Sequence, residues 1–407
     1  MRAVVYRGVN DLRLETVPVP RIGPHELLVQ VAVCGVCPTD IKKIQYGTVP
    51  PPRIFGHETA GTIVRAGARA RAFKIGDRVA LHHHVPCLDC HFCRHHAFAQ
   101  CETYKRTGIT AGFEPAGGGY AQYVRVMPFV LPGVVKIPAR NSFAEGALLE
   151  PVNTVLKAVR RLNLLPGDQV LVAGQGPVGL MFTRLLQLAG ARVIATDLME
   201  SRLKLAKKFG ARWTMLAQTG PAGGAEMPLR PDARQRVPAS IPCPQLSTLN
   251  PQPRKGAWPR GAALRGLDAA VIAVPSDAAV QQALQLIRCG GQVLLFAHTK
   301  RNAKAEVRSE KSEVQNRSRS HFSLQPSAFS LDLASICLDE KDLLGSYSSD
   351  FTLQREVARL VFSRQLDVRG LISHSFPLEQ TAAAVQLASR PTEDSLKIIV
   401  AAGVSRL

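Results

Sequence analysis

Residues 170–179 read Val170-Leu171-Val172-Ala173-Gly174-Gln175-Gly176-Pro177-Val178-Gly179. An apolar strand enters a glycine-rich turn, a helix opens at Pro177, and the next strand ends at Asp197. In such a unit Gly174 allows the tight turn, Gly176 lets the backbone approach a pyrophosphate, and Gly179 lets the helix pack closely on the strand. The stretch therefore predicts a dinucleotide site, with the pyrophosphate at the positive N-terminus of the helix.

Asp197 bears on which dinucleotide is bound. Its carboxylate would accept hydrogen bonds from ribose hydroxyls and repel a 2′-phosphate, which favours NAD over NADP. Arg202 could reach a phosphate and partly opposes this preference. From this unit we expect the cofactor to contact Gly174, Gly176, Pro177, Val178, Gly179, Asp197 and Arg202.

The same alternation of strand and helix continues on both sides of this unit, which implies parallel βαβ units. Residues 142–161 read as one helix, and strands are expected at 267–274 and 291–297. Residues 1–140 instead carry short β-branched runs separated by Gly and Pro, so this part is expected to be β-rich.

Two segments interrupt the pattern, residues 218–260 and 300–325, and we interpret both as mobile insertions into one continuous fold. Seven Lys or Arg stand against two acidic residues in 221–265, and seven against three in 300–320. These stretches carry nearly half of the net charge of +20. Because no aromatic-interleaved basic surface accompanies them, the charge does not favour a nucleic-acid partner.

The strongest metal signal is a cluster of four cysteines, Cys87, Cys90, Cys93 and Cys101. Four thiolates at this spacing can close a tetrahedral site around one zinc ion. Such a site has no open position, so we expect it to be structural.

A second set is dispersed along the chain: Cys37, His57, Glu58 and Glu150. One thiolate, one imidazole and carboxylates suit a catalytic zinc that keeps a position open for water or substrate.

The composition places the chain among ordinary globular proteins, with 46% hydrophobic and 20% charged residues in 407. No apolar run approaches the ~20 residues of a membrane helix, and the N-terminus shows no apolar signal core. We therefore expect a cytoplasmic protein with no membrane partner.

With these elements in this order, the chain resembles the zinc-containing medium-chain dehydrogenases, and is most similar to their sorbitol (polyol) and threonine dehydrogenase branch. Further motifs that carry the resemblance are Gly35–Asp40, Gly56–Gly61, Gly119–Val124 and Glu150-Pro151. The resemblance implies an α/β fold: a GroES-like β-rich catalytic domain, 1–155 completed by 349–407, and a Rossmann domain with a doubly wound parallel sheet, 156–348, which carries both insertions. It also implies a homodimer or homotetramer.

The resemblance further implies site roles. Cys37 and His57 match catalytic zinc ligands, while Glu58 and Glu150 match carboxylates at the metal, with the direct ligand left open between them. Thr39 matches the hydroxyl that relays the substrate proton, and Thr154 the residue packed against the nicotinamide. The implied activity is transfer of hydride from a secondary alcohol (a polyol, sugar alcohol or hydroxy amino acid) to NAD, with two zinc ions per chain.

Some positions depart from the family pattern or carry no metal role. Pro38 replaces a glycine, and Lys42 stands where many relatives have a relay histidine, so the relay could end in water. Asp40 is expected to support His57, and His82-His83-His84 to be structural. Two alternatives stay open: a zinc-free quinone or enone reductase of the same superfamily, and a non-catalytic, basic, zinc-stabilised binding protein.

Overall fold

The protein is described here from a computed structural model covering residues 1–82, 85–103, 117–219, 225–226, 266–297 and 331–402. The expected insertion 300–325 lies outside these ranges, as does nearly all of 218–260. His83 and His84 also lie outside the described residues.

The strands of the described residues are β1 (Arg2–Gly8), β2 (Asp11–Thr16), β3 (Leu27–Gly35), β4 (Arg53–Ile54), β5 (Glu58–Ala66), β6 (Arg78–Ala80), β7 (Tyr123–Val126), β8 (Val135–Lys136), β9 (Gln169–Ala173), β10 (Arg192–Asp197), β11 (Trp213–Leu216), β12 (Gln218–Thr219), β13 (Ala225–Glu226), β14 (Leu267–Ile272), β15 (Ile287–Leu295), β16 (Asp342–Gly345), β17 (Ile372–Pro377) and β18 (Lys397–Ala401). The α-helices are α1 (Pro38–Tyr46), α2 (His91–Arg94), α3 (Phe143–Ala147), α4 (Leu149–Val159), α5 (Pro177–Leu188), α6 (Glu200–Lys208), α7 (Asp277–Leu286), α8 (Leu333–Leu338), α9 (Gln354–Phe362) and α10 (Thr381–Ser389). By the hydropathy and length of the described helices, none of them could cross a membrane.

A six-stranded parallel sheet has the order β11-β10-β9-β14-β15-β16. Side chains of β9 alternate between two cores: Val170 and Val172 pack with α4 and α5 on one face, and Leu171 and Ala173 pack with α7 on the other. When a parallel sheet is covered on both faces, the sequence of each strand is a continuous apolar run, as residues 170–173 are. The predicted Rossmann architecture is confirmed.

A second, seven-stranded sheet has the order β17-β18-β3-β5-β6-β8, and β7 also pairs with β3. Its β18 comes from the C-terminal part of the chain and runs antiparallel to β3, with Ile399 opposite Gly35. This pairing carries Lys397 to the end of β3, next to the residues that precede α1. The β-rich, GroES-like part of the prediction is confirmed.

The predicted single helix 142–161 is wrong in one respect, because the chain forms two helices that meet at Leu148. Pro151 has no N–H to donate to the carbonyl of Ala147, and its ring crowds that carbonyl, so α3 ends there. Ser142 and Glu145 form a capping box at the start of α3. The break turns α4 so that Glu150 stands in its first turn.

Two further boundaries differ from the prediction. Strand β15 begins at Ile287, four residues before the predicted start at Gly291, and its pairing with β14 shifts register between Ile287 and Gln292, where Gly290 has a φ of +67°. Within the stretch read as irregular, β12 and β13 form a two-residue antiparallel pair. A pairing this short leaves no periodicity to detect in the sequence.

Candidate active site and metal centres

Three potential ligands converge between β3 and β5. Cys37 occupies the N-cap position of α1, and His57 and Glu58 lie at the start of β5. Gly35 lies opposite Glu58 in the antiparallel pair, and a Cβ at position 35 would collide with the Glu58 carboxylate. Ligand atoms of Cys37, His57 and Glu58 all lie within 4.8 Å of one another.

Asp40 lies behind His57 and is fully buried. Its Oδ2 is 3.1 Å from His57 Nδ1 and accepts a hydrogen bond of 3.2 Å from the Gly56 N–H. Burial lowers the pKa of the His57 imidazole, but the charges of Asp40 and Cys37 outweigh it and hold the pKa well above its ordinary value. Because Nδ1 faces a carboxylate, Nε2 is the nitrogen available to a metal.

Lys397 is a member of this site that sequence reasoning missed. Its Nζ donates to Glu58 Oε1 at 2.5 Å and to the Val36 carbonyl at 2.9 Å, and the residue is 5% exposed. The available signal was a lysine placed directly before the apolar run Ile398–Val400, since a buried lysine requires a partner. The ion pair fixes one carboxylate oxygen of Glu58, Oε1, from the side of β18.

The other carboxylate oxygen, Glu58 Oε2, is buried and has no hydrogen-bond partner among the described residues. An orphaned anionic oxygen is costly unless a cation lies beside it. Together with the Cys37 thiol and the His57 imidazole, the Glu58 carboxylate completes a three-ligand set of the kind that catalytic zinc prefers. The residues present therefore fit zinc, with a fourth position left open.

Glu150 lies near these three residues but outside their cluster. It is 5% exposed, and burial raises the pKa of its carboxyl to about 7, against the influence of the His57 charge. Thr154 lies one turn further along α4, on the same face, and its hydroxyl donates to the Pro151 carbonyl at 2.8 Å. Helix α4 thus places the predicted carboxylate and the predicted nicotinamide contact side by side.

The two residues of the expected proton relay both lie on α1. Thr39 is in its first turn, two positions after Cys37, and is partly buried. Lys42 follows one turn later, and burial lowers the pKa of its amine, which is the direction that a relay would need.

The four clustered cysteines form a compact lobe, residues 87–101. Sγ of Cys93 lies 3.8 Å from Sγ of Cys87 and 3.5 Å from Sγ of Cys90. A zinc–sulfur bond of ~2.3 Å gives a tetrahedron with an edge of about 3.8 Å, so the thiols are spaced for one zinc ion. Cys101 completes the group of four.

Backbone groups of the lobe favour thiolates. The N–H groups of Asp89 and Cys90 lower the pKa of the Cys87 thiol to about 6, and the Cys90 N–H lies 3.4 Å from Cys87 Sγ. The N–H of Cys87 in turn donates to Cys101 Sγ at 3.4 Å. Donors fixed toward sulfur in this way support metal-bound thiolates.

The glycine-rich turn has the geometry expected of it. Gly174 has a φ of +90°, and a Cβ on Gly179 would collide with the Gly174 carbonyl oxygen. At Gly176 no described heavy atom lies within 4 Å of a Cβ position, so this residue opens onto free space. Pro177 and Val178 form the first turn of α5, which begins there.

Asp197 and Arg202 line a pocket with Gly174, Leu198 and Val274. The Asp197 carboxylate accepts from the Gln175 N–H at 2.6 Å and from the Met199 N–H at 2.9 Å. Arg202 lies 3.8 Å from Asp197, and its buried Nε has no hydrogen-bond partner among the described residues. The pocket therefore presents both a carboxylate and a guanidinium to a ribose.

His82 lies two residues beyond the end of β6 at Ala80, on the way to the cysteine lobe. It is fully buried, and its Nε2 lies 3.5 Å from Ser349 Oγ. Its contact with a segment 267 residues away agrees with a structural role.

Comparison with known proteins finds alcohol and polyol dehydrogenases among the relatives of this chain. The alcohol dehydrogenase GroES-like domain family matches residues 23–139. A sorbitol dehydrogenase of Bacillus subtilis is 28% identical over 406 residues, 98% of this chain and 97% of that protein. A probable D-xylulose reductase A of Emericella nidulans is 34% identical over 227 residues, 54% of this chain and 61% of that protein.

A solved zinc-binding dehydrogenase of Sinorhizobium meliloti, bound to NADP, superposes with a TM-score of 0.73 at 25% identity, covering 98% of each chain. The fold of this chain agrees with that of the solved dehydrogenase. Residues 23–139 thus carry an alcohol dehydrogenase GroES-like domain, and the chain as a whole is similar to zinc-containing medium-chain dehydrogenases of the polyol branch.

Proposed function

We propose that the protein is a zinc-dependent dehydrogenase that transfers hydride from a secondary alcohol (a polyol, sugar alcohol or hydroxy amino acid) to NAD. The observation that carries this function is the three-ligand set of Cys37, His57 and Glu58 with its orphaned carboxylate oxygen. The same set argues against a zinc-free quinone or enone reductase. A non-catalytic binding protein would have no use for an open metal position beside a dinucleotide turn.

Each residue of the site has a separate role in this reaction. Zinc, when bound, lowers the pKa of the substrate hydroxyl, and NAD accepts the hydride. Cys37, His57 and Glu58 hold the metal, while Asp40 orients the imidazole and Lys397 orients the Glu58 carboxylate. Glu150 is buried near these ligands and would act on the bound substrate through its carboxyl. Thr39 takes the substrate proton and passes it outward, to Lys42 or to water.

The division into a catalytic domain, 1–155 with 349–407, and a cofactor domain, 156–348, is part of this proposal, as is a location in the cytoplasm. We further propose a homodimer or homotetramer. In support, β16 is an edge strand of the parallel sheet, and on the neighbouring α8 both Leu333 and Leu338 are 70% exposed. Analytical ultracentrifugation measures the assembly.

A substrate panel followed by NADH absorbance tests the proposed activity directly. The panel should include sorbitol, xylitol, threonine, butanediol and a simple secondary alcohol. We expect at least one polyol or secondary alcohol to be oxidised. If fully zinc-loaded protein turned over none of them with either NAD or NADP, the proposed function would be wrong.

Zinc content is a second expectation. The protein should bind two zinc ions per chain: one in the closed four-cysteine lobe that resists chelation, and one in the open site that a chelator removes. Elemental analysis before and after chelator treatment measures both. Activity that survives loss of the labile ion would contradict the assignment of the open site.

Cofactor choice should depend on Asp197. Its carboxylate also holds the N–H groups of Gln175 and Met199, so Asp197→Asn is the informative change because it keeps an acceptor and removes the charge. We expect Asp197→Asn to weaken NAD binding roughly 10-fold, as for loss of a charged hydrogen bond, and to strengthen NADP binding. Titration of both cofactors measures the ratio.

Arg202→Ala is the matched control, since it removes the guanidinium that could meet a 2′-phosphate. In the Asp197→Asn background it should abolish the gain in NADP affinity. Equal binding of NAD and NADP by the unmodified protein would show that Asp197 does not select the cofactor.

A further inference from the structure

The segment of residues 346–351, here the crossover segment, follows the carboxyl end of β16 and leads into α9. In a parallel sheet the ligand cleft lies beyond the carboxyl ends of the strands, so the segment starts where the cleft is expected. Ser348 has a φ of +61°, which a non-glycine residue adopts only when its surroundings impose it.

Helix α4 anchors the segment from one side. Asn153 is fully buried and exchanges two hydrogen bonds with Asp350: its Oδ1 accepts from the Asp350 N–H at 2.8 Å, and its Nδ2 donates to the Asp350 carbonyl at 2.9 Å. Lys157 Nζ donates to the Tyr347 carbonyl at 2.9 Å. The helix that carries Glu150 and Thr154 therefore also fixes the backbone on both sides of Ser348.

The cysteine lobe anchors the segment from the other side. Phe351 contacts the ring of Phe98 edge-on, with centroids 5.7 Å apart. Phe98 packs with Cys93 and Cys101 in a small apolar cluster, and Phe351 joins that cluster from outside the lobe. The apolar cluster that includes three of the four lobe cysteines thus extends directly into the crossover segment.

Between these anchors stands Tyr347, with a half-exposed side chain. Burial raises the pKa of its hydroxyl, and its carbonyl is held by Lys157 of α4, the helix that also carries Glu150.

We propose that the four-cysteine lobe is a positioning element for the alcohol-binding cleft. Phe351, held by Phe98 and the lobe's cysteines, keeps the crossover segment, with Tyr347, in the conformation that α4, the helix of Glu150 and Thr154, holds from its other side. The inference rests on the proposed function for what occupies the cleft. The link between lobe and segment is a property of the chain alone.

Hydrogen–deuterium exchange of zinc-loaded protein tests the link without any turnover. Phe98→Ala and Phe351→Ala should each speed exchange in a peptide covering 346–353, which contains the Asp350 amide, by roughly 3- to 10-fold, as for loss of an aromatic contact. Zinc content should stay at two per chain because every ligand is intact. Phe73→Ala is the matched control: Phe73 is also partly buried but packs in the core of the second sheet, beside Lys136.

Steady-state kinetics test whether the lobe affects alcohol binding through this link. Phe98→Ala and Phe351→Ala should raise KM for the alcohol roughly 3- to 10-fold, with kcat and NAD affinity changed less than about twofold, and Phe351→Leu should recover most of the loss. Because the lobe acts through Tyr347, the effects of Phe351→Ala and Tyr347→Ala on KM should be non-additive.

Exchange and KM no different from those of Phe73→Ala would overturn the proposal, as would additive effects in the double variant. A uniform loss of kcat, NAD affinity and zinc would also overturn it, because it would mean general destabilisation. If the unmodified protein oxidises no alcohol, the proposed function fails, and exchange still decides whether the lobe holds the segment.

Discussion

Cys37→Ala should abolish alcohol oxidation and leave one zinc ion per chain. Cys37 supplies the thiolate of the three-ligand set, and the two remaining ligands, His57 and Glu58, cannot by themselves retain a labile ion at ordinary free zinc concentrations. Without the metal nothing in the site lowers the pKa of the substrate hydroxyl. We expect kcat/KM to fall by about 10⁴-fold or more, equivalent to a barrier higher by about 5.5 kcal/mol. Elemental analysis and NADH absorbance measure the two losses.

Cys34→Ser is the matched control for this variant. Cys34 lies three residues away, is fully buried, and lies 3.4 Å from the Thr59 hydroxyl. Burial raises the pKa of its thiol to about 12, and Cys34 belongs to neither group of potential metal ligands in the described residues. This variant should keep both zinc ions and most of the activity. Retention of two zinc ions and normal turnover by Cys37→Ala would show that the catalytic metal lies elsewhere.

Lys397→Met should destabilise the fold and loosen the catalytic zinc together. The change leaves Glu58 Oε1 and the Val36 carbonyl buried without their donor. Removing one partner of a buried ion pair costs roughly 3–5 kcal/mol, and we expect the free energy of unfolding of the zinc-free protein to fall by about that amount. Freed from Lys397, the Glu58 carboxylate loses its fixed orientation, so the labile zinc should also bind more weakly. Denaturant unfolding and competition with a chelator measure the two effects.

Two variants separate the effect of Lys397 on stability from its effect on zinc affinity. Lys341 is also a buried lysine, paired with Asp339 at 2.9 Å and with the Leu284 carbonyl at 3.0 Å, so Lys341→Met should destabilise the protein without changing its zinc affinity. In the double variant Glu58→Gln with Lys397→Met no buried charge is left uncompensated, so stability should largely return while zinc binding stays weak. If Lys397→Met altered zinc affinity no more than Lys341→Met does, Lys397 would have no part in the metal site.

The pH dependence of the Lys397–Glu58 ion pair follows from the pKa of Lys397. Burial lowers the pKa of Lys397, but the charge of Glu58 outweighs it, so the pKa in the folded protein lies above the ordinary value. A group with a raised pKa contributes its stability in full below the pKa of the unfolded chain and loses it as pH rises through the folded value. The contribution should therefore be constant through the neutral range and decline only in strongly alkaline solution.

Local patterns in the sequence were sufficient to predict those parts of this protein whose structure depends on residues close together along the chain. The cysteine lobe closes within 15 positions, and the glycine-rich turn carries its own strand and helix start, so spacing alone predicted their geometry. Helix α4 was predicted as part of a longer helix, and the break at Leu148 was missed although Pro151 marked it. The roles of individual site residues stay predictions until the variants are measured.

The tertiary structure alone decided how distant segments complete the site. Pairing of β18 with β3 brings Lys397 to Glu58 across 339 positions, and the crossover segment reaches Asn153 and the cysteine lobe from 197 or more positions away. Neither contact leaves a periodic trace, because strand pairing and apolar packing constrain which residues meet only after the chain has folded. The residue types and their spacing along the sequence therefore determined the fold class and the ligand types of this protein. The partners that orient those ligands came from long-range packing.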